Sequence, residues 1–153
     1  MKKYFIGIGV LVLASVVYFT GLYTYFIRTE VQEELPQASS NAPAQTMLSG
    51  KFVEVDLIHK GSGDAKLIQV DGKYILRLEN FNVTSGPDLY IYLAKTGQPT
   101  GDIESLGDFI DLGLLKGTSG NQNYEIAGNI TGYKTAVVWC KQYGILFTYA
   151  VME

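Results

Sequence analysis

Hydrophobic and polar residues alternate along most of the chain beyond Leu48, in short runs that are separated by glycine, aspartate and asparagine. Alternation with a period of two predicts half-buried strands, because successive side chains of a strand point to opposite faces. This part of the sequence contains no convincing amphipathic helix. We therefore predict an all-β domain at residues 48–153, either an antiparallel β-sandwich or a partly closed barrel of seven to eight strands.

Two hairpins are predicted with particular clarity. Asp71-Gly72 lies between the alternating runs "AKLIQV" and "KYILRLENF", and this dipeptide favours a type I′ turn. The second hairpin is "TAVVWCKQYGILFTYAVM", with a turn at residues 142–144. Its residues are mostly β-branched, aromatic or aliphatic, so a buried strand pair is expected. This hairpin contains the only cysteine, Cys140, and the only tryptophan, Trp139.

Alternation also predicts which residues share a face of a strand. "KFVEVDLIH" reads as one strand with Val53, Val55 and Leu57 on the same face. In the final hairpin, Cys140 shares a face with Val138, and Trp139 lies on the other face. Both faces are apolar, so the sequence leaves open which of the two points into the core.

The N-terminal segment is a long apolar run. No charged residue occurs from Tyr4 to Ile27, and a helix of that length would measure about 36 Å, enough to cross a hydrocarbon core of roughly 30 Å. The run exceeds the usual apolar region of a cleaved signal peptide. We expect a single-pass anchor at residues 4–27, residues 1–3 in the cytoplasm, and the remaining domain outside the cell membrane.

Residues 28–47 differ from both neighbouring segments. They are acidic at first and then rich in proline, alanine, serine, asparagine and glutamine. Such a composition buries little apolar surface, so a flexible linker is expected.

Charge and cysteine content exclude several functions. The net charge is −3 and there is no basic stripe, so a nucleic-acid partner is not expected. A single cysteine excludes an internal disulfide, a cysteine-based zinc cluster and a four-thiolate iron–sulfur centre. The acidic loop that holds Asp102, Glu104, Asp108 and Asp111 suits Ca²⁺ by ligand type, but its spacing matches no EF-hand, and we expect a solvated loop without metal.

Four blocks, in order, carry a family resemblance: "GKFVEVDLIHKGSGDAKLI", "LRLENFNVTSGPDLYIYL", "LGLLKGTSGNQNYEI" and "AVVWCKQYGILFTYAVM". Together they resemble the DM-thirteen domain, an extracytoplasmic module that occurs beside DOMON domains in other proteins. The resemblance implies a β-rich domain with a role in electron transfer or cell-surface redox chemistry. It also implies that Cys140 is the redox group, as a bare thiol or as a ligand to a group such as haem.

His59, the sole histidine, lies in the first of these blocks. With Cys140 it would form a pair of axial haem ligands, or it would lower the thiol pKa as a cation. The alternatives are a packed core cysteine and a hydrogen-bonded surface histidine. We expect Lys141 not to activate the thiol, because neighbouring side chains in a strand point to opposite faces.

Two functions follow from these observations. The first is a membrane-tethered redox accessory centred on Cys140, which exchanges electrons with a separate cytochrome or other redox protein. The second is a cofactor-free binding module that uses the loops of a β-sandwich. The sequence favours a redox accessory over a self-contained enzyme, and it does not identify the cofactor.

Overall fold

The computed structural model describes residues 2–20, 23, 28–39 and 44–153. Their secondary structure consists mainly of ten strands in two five-stranded sheets. The described residues also include one α-helix and the 3-10 helix Ile103–Leu106. The elements are, in chain order, α1 Lys2–Phe19, β1 Glu30–Gln32, β2 Gln45–Lys51, β3 Val53–Glu54, β4 Gly61–Val70, β5 Lys73–Val83, β6 Leu89–Ala94, β7 Phe109–Leu114, β8 Ser119–Ile126, β9 Thr135–Cys140 and β10 Ile145–Val151.

The two sheets form a sandwich and do not close into a barrel. The first sheet has the strand order β1-β8-β5-β4-β2, and the second has the order β3-β10-β9-β6-β7. All pairings are antiparallel except that of β1 with β8, which is parallel. The prediction of an all-β sandwich is confirmed. The alternative of a partly closed barrel and the number of seven to eight strands are corrected.

The main core lies between the sheets. Aliphatic side chains from β4, β5, β6 and β9 meet there, together with Phe52, Phe81 and Phe147. The approach of the sheets is close at Gly61, where an added Cβ would lie 2.1 Å from Thr148 Oγ1. Glycine at this position therefore allows β4 to pack directly against β10.

Both predicted hairpins are present. Asp71 and Gly72 have φ angles of +48° and +77°, which a type I′ turn requires, and they join β4 to β5. β9 and β10 pair in antiparallel fashion, with a turn at residues 141–144.

The predicted strand "KFVEVDLIH" differs in the structure. β2 ends at Lys51, Phe52 turns into the core, and β3 covers only two residues. Val53 and Val55 are exposed, and Leu57 is 91% exposed at the tip of the following loop. The prediction that Val53, Val55 and Leu57 share one face assumed a continuous strand. The chain instead leaves the sheet after Glu54.

The predicted membrane anchor is corrected. Helix α1 ends at Phe19 instead of Ile27, and residues 21, 22 and 24–27 of the expected span lie outside the described residues. An 18-residue helix that begins with two lysines measures about 27 Å, less than a hydrocarbon core of roughly 30 Å. No helix within the described residues has the length and apolar character that a membrane crossing needs.

Part of the segment that was expected to be a linker contacts the first sheet. Strand β1 pairs with β8 through Val31 and Gly120. Arg77, only 4% exposed, donates from Nη1 to the carbonyl oxygens of Glu33 at 2.8 Å and Glu34 at 3.2 Å. Strand β1 thus extends the edge of the first sheet, and residues 33–39 cover part of its outer face. We call residues 28–39 the strap. Residues 40–43 of the expected linker lie outside the described residues.

Candidate functional site

Cys140 lies at the end of β9, the central strand of the second sheet. It pairs with Leu89 of β6 and with Ile145 of β10. Its side chain points into the main core together with Val138, and its exposed fraction is 0%. Trp139 takes the opposite face. The thiol is therefore enclosed by the two sheets.

The chemistry around Cys140 favours a protonated thiol. Its Sγ donates to the carbonyl oxygen of Pro87 at 3.0 Å. Burial raises the pKa of the thiol, and the carboxylate of Asp88 acts in the same direction, against hydrogen bonds from the amides of the 141–144 turn. Lys141 gives no help, because its ammonium lies over the Tyr90 ring, 4.4 Å from the centroid. The group therefore has the properties of a packed core cysteine.

His59 belongs to the loop between β3 and β4. Its Nδ1 lies 2.7 Å from Asp56 Oδ2, and the other oxygen of Asp56 accepts the backbone amides of Ile58 and His59. These hydrogen bonds lower the pKa of Asp56 to about 2. The imidazole packs edge to face on Phe147 with 4.5 Å between ring centroids. These contacts connect the loop to the core at Phe147.

The pair of axial ligands suggested by the resemblance does not fit haem in this arrangement. The sulfur of Cys140 is enclosed and is already engaged with Pro87. The side chain of His59 is 13% exposed and bound to Asp56 through Nδ1. Each residue thus has its own local partners, and neither of them lines the cavities described below.

The acidic loop is tied to lysines. Asp108 pairs with Lys95 at 2.9 Å, and Asp111 lies 3.5 Å from Lys141. Within residues 2–20, 23, 28–39 and 44–153, no three histidine, cysteine, aspartate or glutamate side chains are grouped so that they could hold a metal ion.

The outer face of the second sheet carries a second apolar cluster. Trp139, Tyr92 and Leu146 are buried there, and Leu106 of the 3-10 helix packs with them. Burial, together with the nearby charge of Asp111, raises the pKa of Tyr92 to about 12. A cavity of about 470 Å³ lies beside Trp139. This cluster explains why both faces of β9 are apolar in the sequence.

A larger cavity opens at the end of the sandwich that also holds the Asp71-Gly72 turn. We call it the end cavity, and its volume is about 540 Å³. Leu48, Leu67 and Met152 line its apolar part, and the last two of these are almost fully buried members of the main core. The cavity therefore gives a ligand direct contact with the interior of the sandwich.

Polar groups also line the end cavity. They come from the first sheet at Tyr74 and from the 129–134 loop at Asn129, Tyr133 and Lys134. The loop is shaped by Asn129, whose Oδ1 accepts the amide and the hydroxyl of Thr131 at 2.9 and 2.6 Å. The sequence did not predict this site, because its residues come from five separate parts of the chain and form no motif.

The architecture defines a class: a two-sheet β-sandwich with a buried thiol, a structured histidine loop and an apolar cavity at one end. The family model of the electron transfer DM13 domain matches residues 51–152. This match covers well over half of the chain, and the chain therefore belongs to the electron transfer DM13 family. Comparisons with curated proteins and with solved structures find no match.

Proposed function

We propose that this chain is an electron-transfer accessory, a domain that exchanges electrons with a separate redox protein instead of completing a reaction alone. The observation that carries the proposal is the family match, which spans nearly the whole sandwich. A cytochrome is one class of partner that would suit such a role.

The finer question is which group holds the electron. A thiol exchanges electrons most readily as an exposed thiolate with a depressed pKa. Cys140 is fully buried and the pKa of its thiol is raised. These properties support a version of the proposal in which the electron resides on a molecule that the domain binds, with Cys140 acting as a packing residue.

An anaerobic reductive titration of the full chain, isolated from the cells that make it, tests the proposal. An electron-transfer accessory that carries its electron on a bound molecule takes up at least about one electron equivalent per chain and releases it on reoxidation. Uptake of no equivalents above a buffer blank would contradict the proposal.

One observation favours the alternative of a cofactor-free binding module. Leu57 and Ile58 are 91% and 64% exposed at the tip of the histidine loop. The loop is nevertheless held by Asp56 and by Thr84, whose Oγ1 donates to the carbonyl oxygen of Ile58 at 2.8 Å. A rigid loop that presents two apolar side chains suits a protein contact. In that case the titration gives no uptake, and the Leu57→Ser/Ile58→Ser double variant loses the interaction with the partner while it keeps the fold.

A further inference from the structure

We infer that the end cavity binds an electron carrier of the quinone class, an uncharged apolar ring that bears carbonyl oxygens. The inference rests on the proposed electron-transfer function, because it names the molecule on which the electron would reside. It concerns binding only, and it assigns no reaction step to the residues of the cavity.

The cavity has the size and the apolar character of a small-molecule site. A volume of about 540 Å³ falls within the range of small-molecule sites, roughly 300–1,000 Å³. Leu48, Leu67 and Met152 provide an apolar floor, and Ile130 adds to it from the loop. Thioether sulfur atoms make favourable contacts with aromatic rings. The cavity therefore suits the apolar body of a ring compound.

The cavity also has polar lining residues with unused hydrogen-bond donors. Tyr74, Tyr133 and Asn129 line it, and they carry donors in two hydroxyls and a side-chain amide. Within the described residues, none of these donors has a protein acceptor, whereas Asn129 Oδ1 is already occupied by Thr131. The cavity thus offers donors to a ligand, and a ligand with acceptor oxygens complements them.

The charged residues of the cavity have opposite signs. Lys134 and Glu153 both line it. The pair therefore favours neither sign of ligand, and a carboxylate and an organic cation would each meet a like charge as well as an opposite one. A neutral ring with carbonyl acceptors avoids both repulsions, and this is the chemistry of a quinone.

The test measures binding of oxidised menadione, 2-methyl-1,4-naphthoquinone, to the full chain by isothermal titration calorimetry. The matched probe is 2-methylnaphthalene, which has the same ring system and lacks the carbonyl oxygens. The matched variants are Tyr74→Phe/Tyr133→Phe, which removes two donors from the cavity, and Tyr90→Phe, which changes a tyrosine on the other sheet. Circular dichroism confirms that each variant is folded.

We expect saturable binding of menadione at one site, an affinity about tenfold lower in the double variant, and no change in Tyr90→Phe. We expect 2-methylnaphthalene to bind more weakly than menadione and to be insensitive to the double variant. Equal binding of the two probes, an unchanged affinity in the double variant, or no saturable binding of menadione would each overturn the inference.

The result is separable from that of the reductive titration, because no electron is transferred in the calorimeter. Menadione binding without electron uptake by the isolated chain would support the site and contradict the proposed function. Electron uptake without menadione binding would support the function and overturn the site.

Discussion

From the burial of Cys140 we predict how slowly its thiol reacts with an external reagent. Its side chain is 0% exposed, and β9 is paired on both sides, so a reagent reaches the sulfur only when the sandwich opens. Domains of this size have unfolding free energies of about 5–15 kcal/mol. If opening costs as much as unfolding, the thiol of the native chain reacts at least about 1,000-fold more slowly than the thiol of the unfolded chain. The raised pKa slows the reaction further.

The assay follows reaction with a disulfide reagent that releases a coloured thiolate, in buffer and in denaturing urea. A positive control combines Cys140→Ala with Tyr143→Cys, because Tyr143 is 43% exposed in the neighbouring turn. This variant should react within about tenfold of the rate in urea. A native Cys140 that reacts as fast as this control would refute the enclosed position of the sulfur and restore the thiol as a redox group.

Three further predictions concern the strap, the contact between the sheets and the histidine loop. Arg77→Met should lower the free energy of unfolding by about 3 kcal/mol, because it removes a buried guanidinium that binds the strap. The control Lys73→Met, at an exposed ion pair, should change the free energy of unfolding by less than about 1 kcal/mol. Equal effects of the two variants in urea titrations would contradict a bound strap. Gly61→Ala should cost about 1–3 kcal/mol, and Gly101→Ala, where an added Cβ meets nothing within 4 Å, should change stability by no more than about 0.5 kcal/mol. The pKa of Asp56 is lowered from 3.8 to about 2. The stabilisation of the loop by the Asp56 carboxylate is therefore present above pH 3.8 and is lost as the pH falls through about 2. NMR shifts of the loop amides should follow this titration in the native chain and not in Asp56→Asn.

The hairpins could be predicted from sequence because their signals are local. Asp71 and Gly72 adopt the positive φ angles that the dipeptide favours, and the flanking runs alternate over the whole length of β4 and β5. The family could be predicted as well, since four blocks in order cover nearly the same residues as the family match. The association with DOMON domains stays a prediction.

The orientation of Cys140 could not be predicted, because β9 is apolar on both faces. One face meets the first sheet, and the other is covered by the loop that contains the 3-10 helix. A covering loop of this kind leaves no periodic signal in the strand beneath it. The prediction that Lys141 would not activate the thiol agrees with its position over Tyr90.

The strap was missed for a related reason. Glu33 and Glu34 bind the first sheet partly through backbone carbonyls that accept from Arg77, and any residue supplies such a carbonyl. Arg77 alternates with the core residues Leu76 and Leu78, so it lies on the other face of β5. The strap covers that face and buries the guanidinium, although no apolar pattern around Arg77 in the sequence indicates burial.

The end cavity could not be predicted from the sequence. Its floor consists of ordinary core residues such as Leu67 and Met152, and its polar residues, such as Tyr74 and Tyr133, resemble surface residues in the sequence. Only the packing of the two sheets brings them together. The sequence instead directed attention to Cys140 and His59, the two most distinctive residue types, and the structure gives each of them a local structural partner.

We propose that this family member carries electrons without using its thiol. Reductive titration of the Cys140→Ala chain, isolated in the same way as the native chain, tests it most directly. If the electron resides on a bound molecule, the variant takes up as many electron equivalents as the native chain, and only its stability is lower. Complete loss of uptake in a variant that remains folded by circular dichroism would contradict it.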